Sequence, residues 1–228
     1  MDETLVSLLA ASIAFIGSHF AMSHPLRTPM VKVLGEKGFL GVYSLVSLAA
    51  FAWMVIAFRA APPGGGPIPG LAGEAQWALS SLLTLIASVL LVGSFKGNPA
   101  LPEVPADAIA NKEPAGVFLV TRHPMMWSFA LWALAHMILS WSQRTSILAA
   151  AILILALLGS HLQDRKKRAL LGEAWRNWEE RTTHLPRFGQ LFAVGAVPWL
   201  AGIVLWLAAT WAHIYVSAIP AGIWKWLV

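Results

Sequence analysis

The chain contains no cysteine, which excludes disulfides, thiolate nucleophiles, iron–sulfur ligation and zinc sites built on sulfur. Any metal must then be held by histidine, carboxylate or methionine. Charge is scarce too: 12% of the residues are Asp, Glu, Lys or Arg, against about 25% in an ordinary soluble domain. Tyrosine occurs twice but tryptophan twelve times, a bias that fits indoles placed near lipid headgroups and beside helix ends. A basic leader is also missing. The sequence opens Met1-Asp2-Glu3 and runs into an apolar stretch without a clear cleavage site, so the first hydrophobic segment is expected to stay in the mature protein.

What is present is apolar. Hydrophobic residues make up 57% of the 228, in runs near the roughly 20 residues that a membrane-crossing helix needs. These runs predict spans near 4–22, 39–58, 76–95, 125–141, 146–162 and 190–215. The expectation is an all-α, polytopic transmembrane bundle of about six spans, one domain over residues 1–228. The fourth run is short, and Pro198 and Pro220 interrupt the last, which leaves a seventh segment open. The Pro- and Gly-rich stretch 59–75 reads as an irregular loop. Residues 97–114, with Pro99, Pro102, Pro105 and Pro114, read as a connection of the length that often covers a site.

The 16 Lys and Arg residues sort between alternate loops. Arg27, Lys32, Lys37, Lys96, Lys112, Arg122, Arg165, Lys166, Lys167, Arg168, Arg176, Arg181 and Arg187 fall on one side, and Arg59, Arg144 and Lys225 on the other. The positive-inside rule then predicts that the thirteen face the cytoplasm and that the N-terminus lies outside. Topology explains the net charge of +5, so nucleic acid is not an expected partner; the bilayer is. Within 164–183, Leu171, Ala174, Trp175 and Trp178 share one helical face and charged residues the other. This segment is expected to be a cytoplasmic amphipathic helix along the inner membrane surface, with its tryptophans in the interface, or else a lid or ligand-binding part.

Ionisable groups inside spans are costly and mark sites. Here they are histidines: His19, His136, His161 and His213 lie in spans, while His24, His123 and His184 fall on the cytoplasmic side. No His-x-x-x-His pair occurs, and no Asp or Glu falls inside the predicted spans. A carboxylate-bridged or hydrolytic metal site is therefore not expected. Two neutral imidazoles on two helices are enough for bis-His ligation of haem, and His19 and His136 both have small neighbours; a hydrogen-bonded structural role is the alternative for each. In Thr121-Arg122-His123-Pro124, Pro124 suits a first helical turn. That places Arg122 and His123 at a helix N-terminus, where either an anion or a lipid headgroup fits.

Four motifs read together carry a resemblance: Ser18-His19-Phe20-Ala21 with Pro25-Leu26-Arg27, Val120-Thr121-Arg122-His123-Pro124, Trp132-Ala133-Leu134-Ala135-His136, and Asp164-Arg165-Lys166-Lys167. Over about 17–188 the chain resembles the NnrU family, which also includes the plant-type 15-cis-zeta-carotene isomerases. The resemblance implies haem b held by His19 and His136, with Arg122 and His123 as further cofactor-binding residues. It implies a small apolar or nitrogen-oxide ligand and a link to denitrification or to isomerase-like chemistry. Ala133 stands where the isomerase has a cysteine able to exchange with a haem ligand, so redox ligand switching of that kind is excluded.

A more distant similarity, carried by Arg122-His123-Pro124, is to isoprenylcysteine carboxyl methyltransferase-like enzymes that use S-adenosylmethionine. There a Glu-Glu pair holds the cofactor; here Asp164-Arg165-Lys166-Lys167 occupies that place. A non-catalytic accessory factor for a respiratory enzyme is the third reading.

Overall fold

A computed structural model describes residues 2–65, 73–102 and 104–228. The helices are α1 (Glu3–Ser23), α2 (Arg27–Ala60), α3 (Gly73–Gly93), the single turn α4 (Asp107–Ala110), α5 (Pro124–Leu139), α6 (Gln143–Leu171), α7 (Glu173–Arg181) and α8 (Ala196–Ser217), with 3₁₀ turns at Gly116–Leu119, Phe188–Ala193 and Gly222–Trp226. No β-strand occurs among the described residues, and the all-α class holds. Five helices, α1, α2, α3, α6 and α8, are long and apolar enough to cross a membrane. The sixth, α5, is apolar but has only 16 residues, about 24 Å of helix.

Boundaries move where proline and glycine act on the backbone. Gly35, at φ 69 and ψ 168, kinks α2, a conformation essentially confined to glycine, and the helix gains the segment from Arg27 that precedes the predicted span. Pro198 does not interrupt the last span. It sits in the first turn of α8, where its missing N–H costs no helical bond. After Pro220 the described residues form only the Gly222–Trp226 turn, and the 190–226 stretch holds one long helix, α8, among them. Part of the predicted loop 59–75 lies outside the described residues; within it, α2 runs on to Ala60 and α3 starts at Gly73.

The chain divides into two compact units. The first comprises residues 1–70 and 136–155. In it α1 packs on α2 through Leu5, Leu8, Ala11, Met54 and Ala57, joined by Ala151 of α6. Arg144 closes the end of α2, donating to the Ala61 carbonyl at 3.1 Å while its guanidinium lies over Phe58. Ile13, Leu45, Leu48 and Ile56 remain exposed along these helices, as lipid-facing side chains must be when the solvent is hydrocarbon.

The second unit comprises residues 71–135 and 156–228. Here α3 and α8 meet at Gly202, where a Cβ would come within 2.7 Å of the Val89 Cα. Such close approach is how small residues let membrane helices pack. Trp206 Nε1 donates to Thr84 Oγ1 at 3.0 Å beside this contact. The segment 164–183 departs from the expected single surface helix. Gly172, at φ 55, separates the end of α6 from α7, and Trp175 and Trp178 are fully buried among Val89, Leu90, Val117 and Phe118. The amphipathic helix is real, but its apolar face is covered by protein. Its charged residues find protein partners too, Arg181 donating to the Ala110 carbonyl at 2.7 Å.

Replacing Gly202 by alanine forces the α3 backbone away. The expected result is a loss of about 1–3 kcal/mol, read by unfolding in detergent with tryptophan fluorescence. Gly189→Ala, where nothing lies within 4 Å of the added methyl, is expected to leave the transition in place.

Candidate functional site

On α6, Ser160, Gln163, Asp164 and Lys167 recur at the spacing of one helical face, and Ser160, Asp164 and Lys167 are buried. This face carries the best-defined polar cluster of the second unit. An ionised carboxylate in such surroundings is tolerable only when paired and hydrogen-bonded. Asp164 is both. Arg122 donates from Nε to Oδ1 and Oδ2 at 3.1 and 3.0 Å, and from a terminal nitrogen to Oδ2 at 2.7 Å. His123 Nε2 lies 2.8 Å from Oδ1, and His184 Nδ1 lies 3.3 Å from Oδ2. Glu179 of α7 extends the cluster, 3.5 Å from Arg122 and doubly hydrogen-bonded by Arg168.

Backbone pairing puts these side chains in place. The Arg122 N–H donates to the Thr183 carbonyl and the Arg187 N–H to the Val120 carbonyl, both at 2.8 Å. Thr121 Oγ1 donates to the His184 carbonyl at 2.7 Å and accepts the His123 N–H at 3.2 Å. Trp127 Nε1 donates to the same carbonyl at 2.8 Å. Segments 120–123 and 183–187 are thereby locked side by side before Pro124 opens α5.

A carboxylate only accepts hydrogen bonds, so His123 carries its proton on Nε2. Burial holds the imidazole below its ordinary pKa, with the hydrogen bond and charge of Asp164 acting in the opposite direction. The neutral ring then has a bare Nδ1, and this atom is buried without a hydrogen-bond partner. His123 lines a cavity of about 30 Å³, together with Asn98, Met125, Met126 and Gln163. The stretch from Asn98 to Leu101 is held over it: Gln163 donates to the Ala100 carbonyl at 2.9 Å and Lys167 to the Leu101 carbonyl at 2.7 Å.

The expected site residues divide between the units. Arg122 and His123 lie together in the second, and the anion that Arg122 meets is the protein's own Asp164. His19 and His136 belong to the first. His19 Nδ1 lies 2.8 Å from the Phe15 carbonyl, and the ring meets Phe15 and Tyr43 edge-on, with centroids 4.4 and 5.5 Å away. Nδ1–H therefore donates, which leaves Nε2 as the lone-pair nitrogen. His136 is half-buried near the C-terminal end of α5. Asp2 and Leu5 line one cavity with Trp141 and Ser142. From that end His19 lies about 21 Å along α1 beyond Leu5, whereas His136 is five residues before Trp141. His161 is exposed, and His213 Nδ1 lies 3.1 Å from the Ala209 carbonyl.

The sequence marks Asp164 only as part of a basic motif and gives His184 no role. The fifth predicted span ends at 162, but α6 runs to Leu171, so an acid does stand inside a long apolar helix. The polar spacing from Ser160 to Lys167 was the available signal. His123, Asp164 and His184 offer ligand atoms within 4.8 Å of one another. Both Asp164 oxygens already accept from Arg122, so a divalent ion there would have to displace a guanidinium.

Asp164→Ala strands the buried Arg122, and its expected cost is about 3–5 kcal/mol. Combining Asp164→Leu with Arg122→Met removes both charges and is expected to restore a large part of that loss. Equilibrium unfolding of the single and double variants measures the coupling.

No curated protein and no solved structure matches the chain. The family model described as NnrU protein matches residues 7–221, nearly the whole length. With its apolar helices and this span of agreement, the chain belongs to the NnrU family of membrane proteins.

Proposed function

We propose that this NnrU-family protein binds haem b in its first unit, where His19 and His136 would hold it, and serves nitrogen-oxide metabolism or an isomerase-like reaction on a small apolar substrate. The observation that carries the reading is the presentation of His19. A ring fixed through Nδ1–H on a backbone carbonyl and held by Phe15 and Tyr43 offers Nε2 in the manner of a metal-ligating histidine. His136 supplies an imidazole from a different helix of the same unit. A haem held there would supply electron transfer, ligand binding or Lewis acidity. The chain's part is to hold the ring, keep its surroundings apolar and limit access of water. The proposal places the protein in the bacterial inner membrane, and the distribution of Lys and Arg supports an N-terminus on the outside.

The methyltransferase reading needs carboxylates free to meet a sulfonium. Asp164 and Glu179 are instead taken up by Arg122 and Arg168, which leaves that reading with less support than the haem reading.

Expression with haem precursor, purification in detergent and absorption spectra before and after dithionite test the proposal. The expected result is a Soret band with sharp reduced α and β bands, lost in His19→Ala and lost or shifted in His136→Ala. A colourless wild type, or spectra indifferent to both substitutions, contradicts it.

A further inference from the structure

The cavity at the start of α5 is distinct from the histidines of the first unit. Its polar wall is rich in lone pairs. His123 Nδ1 is bare, buried and unpartnered; Met125 and Met126 contribute thioethers; Gln163 has already committed its amide nitrogen to the Ala100 carbonyl, which leaves its oxygen. Asn98, whose Oδ1 accepts the Ala100 N–H at 2.9 Å, lines another part of the wall; the lone pairs of His123 and the two methionines want an electron-poor guest, and about 30 Å³ admits something no larger than a water molecule or an ion.

We propose that His123 Nδ1 and the thioethers of Met125 and Met126 form a binding site for one cuprous ion. Thioether sulfur is a soft donor that selects Cu(I) over the harder divalent metals, and in a chain without cysteine methionine is the only such donor. Every proposed ligand is neutral, which suits a single positive charge. Nearby charges point the same way. Asp164 and Glu179 are balanced by Arg122 and Arg168, and Lys167 reaches Leu101 on the cavity's own loop, so no excess negative charge favours a divalent ion. Asp164 acts as a positioning residue. By accepting the Nε2 hydrogen at 2.8 Å it fixes the tautomer that turns Nδ1 into a ligand, the carboxylate–histidine–metal arrangement. The methionines follow His123 across Pro124 into the first turn of α5, so one short stretch supplies all three donors. A bound water is the competing occupant.

The test is an anaerobic titration of the purified full-length protein with Cu(I), supplied as its acetonitrile complex, against bicinchoninate as competing chelator. X-ray absorption then reads the donor atoms. Wild type is expected to retain one Cu(I) per chain, with nitrogen and sulfur in the first coordination sphere. Met125→Leu with Met126→Leu preserves side-chain volume and is expected to lose the sulfur signal and the affinity together. Asp164→Asn, which retains a hydrogen-bond acceptor for His123, is expected to weaken binding by about 10–100-fold without removing sulfur from the sphere. Failure of the wild type to hold Cu(I) against the chelator overturns the proposal and leaves the cavity to water. Unchanged affinity and absorption in the double-methionine variant overturn it equally. His19→Ala is expected to bind Cu(I) as wild type does, whatever becomes of haem.

Discussion

Asp164 stands in a helix long and apolar enough to cross a membrane, and its negative charge has to be neutralised where it is. The groups that do so come from places far apart in sequence: Arg122 and His123 from before α5, His184 from after α7. Meeting this requirement organises the second unit. Side chains at 122 and 123 can reach the carboxylate because 120–123 pairs through its backbone with 183–187, and that pairing sets where α5 begins. The ion-pair chain continues through Glu179 to Arg168, which ties α7 to the end of α6 and helps to bury Trp175 and Trp178. Buried ion pairs of this kind add little net stability compared with apolar replacements, but breaking one partner is costly. Their effect is to specify one arrangement.

The first unit is built on different physics. Its core is a narrow seam of Leu, Ala and Met between α1 and α2, while large apolar side chains face outward. Polar groups there are few, and His19 satisfies one ring nitrogen on its own helix. A histidine held in this way is available to a ligand through its other nitrogen, whereas His123 reaches the same condition by binding a carboxylate. Two solutions to one problem, a fixed imidazole tautomer in a dry environment, thus occur in a single chain.

Much of this was legible in the sequence. Long apolar runs identify helices because the bilayer leaves the backbone no other partner, and Pro124 marks the start of α5 by the same logic that later excuses Pro198. The motif Thr121-Arg122-His123-Pro124 is correctly singled out. Its partners are not, for two reasons. The end of α6 lies beyond its apolar portion, so Asp164 reads as the start of a separate surface helix until α6 is seen to continue to Leu171. His184 has no local signature at all, since its role depends on a pairing of segments about sixty residues apart. Gly172 also changes the picture: an unbroken helix over 164–183 presents its tryptophans to a surface, but a break at φ 55 turns them inward.

Nitrogen-15 NMR of the histidine-labelled protein in detergent, with His123 assigned by the difference from His123→Asn, tests most directly whether Asp164 fixes this arrangement. At neutral pH the account predicts a neutral His123 ring protonated on Nε2 and bare on Nδ1, its Nε2 proton shifted far downfield by the carboxylate. A ring protonated on Nδ1, or one averaging between tautomers, would contradict it.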